Sequence, residues 1–155
     1  MTDGPKTFIK IEWIDGKFVA FLPIEDVGTV HNPEKLAAIA AQRYTQHIKS
    51  MRGVMAQIDA RRAKRIPVAA SLIWDLGDLI FRLRDSLASL GLEIDDLYEH
   101  LSRDLSVKRK WLEKVIIFRR YIPSRSMIPQ DLNWGKCEKG TRRKAEQIAA
   151  GKFMG

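Results

Sequence analysis

The sequence predicts a mainly α-helical protein, a helical bundle that contains a helix-turn-helix-like pair and carries an N-terminal β-hairpin. From residue 33 onward, apolar side chains recur at steps of three and four residues, which is the period of a half-buried helix. Before residue 30, two alternating apolar runs flank an Asp-Gly dipeptide, a pattern typical of a tight hairpin. We therefore divide the chain into a β-hairpin appendage at 1–30 and a basic helical domain at 31–155.

The hairpin turn is expected at Asp15-Gly16, because a type I′ turn requires positive φ at both central residues. A two-stranded hairpin is only marginally stable alone, so its apolar face is expected to pack on helices or on a partner. Residues 27–30 are a candidate for a short third strand. The pairs that face each other across the predicted hairpin are Trp13 with Phe18, Ile11 with Ala20, and Ile9 with Leu22.

The first two helices carry the clearest signals. Asn32 is a preferred N-cap residue and Pro33 a preferred first helical residue, so a helix is expected from there to about Ala60. A leucine stripe predicts a second helix over roughly 68–90. Gly77 lies in the middle of this helix, where glycine costs about 1 kcal/mol relative to alanine. Its presence predicts the close approach of another helix.

Shorter helices are expected after Gly91, which ends the second helix as a C-terminal glycine. A third helix is predicted near 95–104 and a fourth at 107–121, with a break at Leu105-Ser106 and Ser106 as the N-cap. The break and the two helices together have the outline of a helix-turn-helix. Two further helices are expected, from Pro129 to about Glu138 and from an N-cap at Thr141 to Ala150.

Composition and motifs argue against an enzyme. The single cysteine, Cys137, excludes an intramolecular disulfide, and no positioned base accompanies it. The three histidines lack metal-ligand spacing, and His47 is expected to be a hydrogen-bonded residue of the apolar stripe. Asp75 and Asp78 lie on one helix face, where they are expected to be solvated or paired with Arg82. We predict no catalytic site, no metal and no cofactor, in a soluble cytoplasmic protein without a membrane segment.

Charge is segregated along the chain, whose net charge is +8. Residues 31–65 hold eight basic and two acidic side chains, and residues 106–155 hold thirteen and four. Between them, residues 66–105 hold three basic and eight acidic side chains. Such segregation favours a polyanionic partner, and the alternative is a surface that only confers solubility.

The predicted fourth helix is the main candidate for binding, because the second helix of a helix-turn-helix enters the major groove of DNA. Its cations are close enough together to meet consecutive phosphates. The alternative is an ordinary amphipathic helix with a solvated basic face. The candidate nucleic-acid-binding residues on or beside this helix are Lys108, Arg109, Lys110, Lys114, Arg119 and Arg120.

Two other cationic clusters extend this candidate interface. Trp134 accompanies the C-terminal cluster, where it can stack on bases or, as we favour, anchor the tail in the core. The position of the two clusters relative to each other is not predictable from the sequence. The C-terminal candidates are Arg125, Lys136, Lys139, Arg142, Arg143 and Lys144, and the other cluster holds Arg61, Arg62, Lys64 and Arg65.

Short motifs between residues 73 and 134 resemble the N-terminal helical domain of the YhcG-type proteins, which join such a domain to a PD-(D/E)xK nuclease domain. These motifs are Ile73-Trp74-Asp75-Leu76-Gly77-Asp78, Leu101-Ser102-Arg103-Asp104-Leu105-Ser106, Phe118-Arg119-Arg120-Tyr121 and Leu132-Asn133-Trp134. The resemblance implies a DNA-binding or interaction module. The N-terminal hairpin departs from the family pattern, and the sequence has no counterpart of the nuclease domain, so binding rather than hydrolysis is implied.

The sequence thus predicts a non-enzymatic nucleic-acid-binding protein, with DNA favoured over RNA and the hairpin available to a protein partner. Two alternatives remain open. One is a small helical subunit of a ribonucleoprotein complex, such as a CRISPR effector, which contacts RNA or single-stranded DNA. The other is an interaction adaptor, whose acidic segment at 66–105 docks on a basic segment of another protein.

Overall fold

The computed structural model describes residues 8–21 and 32–153, which form a mainly helical fold with a small sheet. The strands are β1 (Ile9–Ile14), β2 (Lys17–Phe21) and β3 (Leu92–Ile94). The helices are α1 (Pro33–Ala63), α2 (Ala70–Ala88), α3 (Leu97–Asp104), α4 (Arg109–Tyr121) and α5 (Thr141–Ala149). Single 3₁₀ turns occupy Arg125–Met127 and Trp134–Lys136. The predicted fold class, mainly helical with an N-terminal hairpin, is confirmed.

The hairpin has the turn and register that the sequence predicts. Asp15 and Gly16 adopt φ values of 51° and 81°, as a type I′ turn requires. Trp13 pairs with Phe18 and Ile11 pairs with Ala20. The predicted partner of Ile9 lies outside the described residues, as does the candidate strand at 27–30.

A third strand that the sequence analysis does not predict joins the hairpin to the helices. β3 pairs in parallel with β1, which gives the strand order β2-β1-β3. Backbone bonds from Ile9 N to Gly91 O and from Asp95 N to Ile11 O, both 2.8 Å, extend the pairing. Three residues are too few to show a strand period, so only the packed sheet identifies this strand.

Helix α1 begins as predicted and ends three residues later than predicted. The Asn32 side chain accepts hydrogen bonds from the backbone amides of Glu34 and Lys35, at 3.0 and 3.3 Å. At the other end, Arg65 adopts a φ of 57° and turns the chain toward α2. The two helices pack along their length, with Met51 and Ile58 of α1 fully buried.

The close approach predicted at Gly77 is present, and the neighbour is α4. A Cβ atom at Gly77 would lie 2.6 Å from the Cβ of Arg119 and 3.0 Å from the backbone oxygen of Val115. Trp74, one turn earlier on α2, donates its indole hydrogen to the Ile122 oxygen at 2.8 Å. These contacts set the position of α4 on α2.

The break between α3 and α4 differs from the prediction. Ser106 is not an N-cap, because it adopts a left-handed conformation with a φ of 55° inside the break. Helix α4 starts at Arg109, and Lys108 precedes it without a side-chain cap. The Ser102 hydroxyl donates to the Val107 oxygen at 2.6 Å and closes the turn from the α3 side.

The prediction of a helix from Pro129 to Glu138 is wrong. The backbone here pairs with the segment that enters α2: Ala70 donates to Leu132 at 2.9 Å, and Trp134 donates to Val68 at 2.8 Å. These bonds replace those that a helix would make. Thr141 is likewise not an N-cap but the first residue of α5, after Gly140 in a left-handed conformation.

The hairpin packs on α1 and α3 through an aromatic cluster. The Phe18 ring lies 5.5 Å from Tyr44 and 5.9 Å from His100, and Trp13 lies 5.8 Å from His100. His100 is 8% exposed, and its Nδ1 lies 3.0 Å from a guanidinium nitrogen of Arg103. Burial, and secondarily the charge of Arg103, lowers the pKa of His100 despite nearby aspartates.

We predict that Gly77→Ala destabilises the protein by about 1–3 kcal/mol, because the added methyl group overpacks the contact with α4. Gly53→Ala is the matched control, since Gly53 is exposed on α1 and a Cβ there meets no atom within 4 Å. This control should gain up to about 1 kcal/mol from helix propensity. Urea unfolding measures both, and equal gains would contradict the close contact.

Stability should also fall as the pH drops below about 6.5. The unfolded chain protonates His100 at its ordinary pKa of 6.5, whereas the folded state, with its lowered pKa, takes up that proton only at lower pH. Uptake of one such proton by the unfolded chain lowers the free energy of unfolding by at most about 1.4 kcal/mol per pH unit. Urea midpoints between pH 7.5 and 5.5 should therefore decline more steeply for the native protein than for His100→Gln, and parallel declines would contradict this assignment.

Candidate nucleic-acid interface

Helix α4 presents part of its predicted basic face to solvent. Leu112, Val115 and Ile116 are buried, which leaves the opposite side of the helix outward. Lys110 is exposed, and Lys114, one turn later on the same side of the helix, is half-buried. Arg120 is exposed further along the helix.

Arg109 is engaged by two carboxylates. Its guanidinium lies 3.0 Å from Glu99 of α3 and 3.5 Å from Glu113 of α4. All three side chains are about half exposed, and exposed pairs of this kind contribute at most about 1 kcal/mol each. Glu99 and Glu113 therefore reduce the local positive potential at Arg109 without adding much stability.

Arg119 holds α4 to α2 instead of facing solvent. Its side chain is 20% exposed, and its Nε lies 2.9 Å from the Asp78 carboxylate. The guanidinium carbon lies 4.7 Å from the centre of the Trp74 ring and 4.9 Å from that of Phe81. Asp78 also pairs with Arg82 at 2.8 Å, as the sequence predicts.

Two other candidate arginines have partners within the fold. Arg125 makes two hydrogen bonds to Asp75, at 2.8 and 3.3 Å, and these bonds raise the pKa of Arg125. Arg142 bonds Glu146 at 3.0 Å and lies 4.7 Å above the Tyr121 ring. The bond to Glu146 likewise raises the pKa of Arg142.

The C-terminal end of α1 lies against the start of α4. The guanidinium carbon of Arg62 is 5.5 Å from the centre of the Trp111 ring, within the range of a cation–π contact. Arg61, its neighbour, donates to the Pro67 oxygen at 3.2 Å and secures the turn that follows α1. This contact places Arg62 of the cluster at 61–65 next to the first turn of α4.

The C-terminal segment borders the same region. Arg62, residues 66–68, residues 133–136 and Glu138 line a recess of about 360 Å³. Lys136 and Arg62 thus border the same recess. We define the basic surface as the end of α1, the start of α4 and the C-terminal lining of the recess, represented by Arg61, Arg62, Lys64, Arg65, Lys108, Lys110, Lys114 and Lys136.

Most cations of the basic surface have no ion-pair partner among residues 8–21 and 32–153. The exception is Arg62, whose guanidinium is 4.0 Å from Asp59. Three further candidates lie in the C-terminal segment and also have no ion-pair partner among the described residues. These three are Lys139, Arg143 and Lys144.

Trp111 is the residue of this surface that the sequence analysis misses. Its ring lies under Arg62, and its buried Nε1 has no hydrogen-bond partner among the described atoms. The available signal was an aromatic residue directly after Lys108, Arg109 and Lys110. Trp134, by contrast, has the predicted anchoring role: it is 1% exposed, and its ring lies 5.3 Å from Phe118.

The side chains considered for catalysis have ordinary surroundings. Burial raises the pKa of Cys137 to about 11, and this effect outweighs the opposing charge of Lys144. The His47 ring is half-buried, with Nδ1 2.9 Å from the Arg43 oxygen. Within the described ranges, no group of three or more His, Cys, Asp or Glu side chains is placed to hold a metal ion.

The hairpin presents apolar side chains outward at its turn and at the end of β2. Trp13, Ile14 and Phe21 are between 38 and 47% exposed. A protein partner at this surface stays a prediction. In the part of the chain that the structure describes, no helix is long and apolar enough to cross a membrane.

Comparison of the chain with family models, curated proteins and solved structures finds no match. The resemblance to the YhcG-type helical domain therefore stays a prediction.

We predict that Arg119→Lys destabilises the fold by about 1–2 kcal/mol, because lysine keeps the charge but loses the planar contacts with Trp74 and Phe81. Arg120→Lys is the control, since Arg120 is exposed on the next position of α4. Thermal or urea unfolding distinguishes them. Equal stability of the two variants would contradict a packing role for Arg119.

Proposed function

We propose that this protein binds nucleic acid, with DNA favoured, through the basic surface. The observation that carries this proposal is the contact of Arg62 with Trp111. It joins two cationic segments that lie about 50 residues apart in the sequence into one surface. A polyanion is the class of partner that such a concentration of like charge favours.

The arrangement of the cations suits a phosphate backbone. Phosphates of one DNA strand follow each other at about 3.4 Å along the helix axis. Lys110 and Lys114 lie one helical turn apart, a rise of about 6 Å, so they reach different phosphates. Lysines and arginines without carboxylate partners can bind a phosphate without breaking an ion pair within the protein. Their full charge is therefore available to the ligand.

Helix α4 is not uniformly suited to the role of a recognition helix. Glu99 and Glu113 flank Arg109, and a phosphate at this position has to displace them. The favoured contacts therefore lie on the side of α4 that faces the end of α1. This geometry supports backbone contacts by Lys110, Lys114 and the cluster at 61–65 more than base reading by Arg109.

The adaptor alternative receives less support, because the acidic segment at 66–105 is partly neutralised within the fold. Asp75 is paired with Arg125, and Asp78 with both Arg82 and Arg119. These carboxylates would have to exchange partners to dock on a basic segment of another protein. The ribonucleoprotein alternative differs from our proposal only in the strand that is bound, and the same binding experiment separates them.

We predict that Lys110→Glu combined with Lys114→Glu weakens DNA binding at least about 100-fold, by removing two phosphate contacts and adding repulsion. Fluorescence anisotropy with labelled duplex DNA, single-stranded DNA and RNA of equal length, across a salt series, measures this. The negative slope of log affinity against log salt concentration should become about two units less steep. Tighter binding of single strands would favour the ribonucleoprotein alternative.

The matched control is Lys35→Glu combined with Lys49→Glu. Both residues are exposed on α1, and Lys49 precedes Arg62 by 13 residues, or about 20 Å of helix. The two double variants have the same net charge. Equal loss of affinity would mean that total charge, and not the basic surface, drives binding, and negligible binding by the native protein would refute the proposed function.

A further inference from the structure

The recess within the basic surface has walls of two different chemical kinds. Ile66, Pro67 and Val68 form an apolar side, and Ile66 is 46% exposed there. Arg62 and Lys136 place positive charge at the recess, and Asn133 and Glu138 add an amide and a carboxylate. Its volume of about 360 Å³ is of the order that one nucleotide requires.

These walls match the parts of a nucleotide. An apolar surface receives the face of a base, and cations receive its phosphate. An amide and a carboxylate provide the donors and acceptors that a base edge needs, since a carboxylate accepts hydrogen bonds from exocyclic amino groups. A phosphate alone would leave the apolar side unused, and a purely apolar ligand would leave the two cations unused.

The recess is held rigidly by the backbone on both sides. Trp134 N donates to the Val68 oxygen at 2.8 Å, and an isolated bridge pairs Ala69 with Asn133. Arg61 closes the turn at the rim by its bond to the Pro67 oxygen. A site with this support is preorganised, so little conformational entropy is lost when it is filled.

We propose that the recess takes one unpaired nucleotide of the strand that the basic surface binds. The base lies against residues 66–68, and its phosphate lies between Arg62 and Lys136. This inference rests on the proposed function and specifies where the bound strand departs from regular pairing. Asn133 and Glu138 then supply hydrogen-bonding groups to the edge of the base.

The first test uses the native protein and three labelled duplexes: a perfect duplex, the same duplex with a one-nucleotide bulge, and that bulge with an abasic site. Burial of one base should make the bulged duplex bind roughly tenfold more tightly than both others. Equal affinity for all three overturns the recess inference and leaves the proposed function standing. No binding to any of them overturns both.

The second test uses Gly135→Glu, which places a carboxylate in the lining of the recess. A Cβ at Gly135 meets no atom within 4 Å, so the fold should tolerate the substitution. The variant should lose the preference for the bulged duplex. Gly53→Glu makes the same charge change on the exposed face of α1, about 13 Å of helix before Arg62, and should keep that preference. Retention of the preference by Gly135→Glu overturns the assignment of the recess.

Discussion

The close crossing of α2 and α4 at Gly77 is the constraint on which the rest of the structure depends. With hydrogen in place of a methyl group, the backbone of α4 comes within the distance that a Cβ atom would occupy. Asp78 then reaches Arg119, and Trp74 supports the same guanidinium while it bonds the Ile122 oxygen. Together these contacts fix the rotation of α4 about its axis, and the rotation decides which of its cations face solvent.

Once α4 is fixed, the basic surface follows from the length of α1. This helix carries its terminal arginines to the start of α4, where Arg62 lies over Trp111. The segment after the 3₁₀ turn at Arg125–Met127 then returns to pair with residues 68–70, which brings Lys136 to the same region. Local helix length and one long-range backbone pairing thus assemble charges from three separate parts of the chain. Neither the surface nor its recess exists in any one of these segments alone.

The features that the sequence predicts well are those whose cause is local. The turn at Asp15-Gly16 needs only two residues that tolerate positive φ, and the start of α1 needs only the Asn32 cap and Pro33. Prediction fails where a segment that is distant in the sequence decides the backbone conformation. Residues 129–138 are predicted to be helical, but their backbone bonds to the entry of α2 instead.

The sequence by itself determined the helical class, the hairpin, the segregation of charge and the presence of a close contact at Gly77. Each of these follows from the residue types at adjacent or periodically spaced positions. Only the tertiary structure decided that Arg119 and Arg125 pair with carboxylates of α2, whereas Lys110 stays exposed without a carboxylate partner among the described residues. The physical reason is that the charge of a side chain is a local property, whereas its availability to a ligand depends on which distant groups folding brings within hydrogen-bond distance.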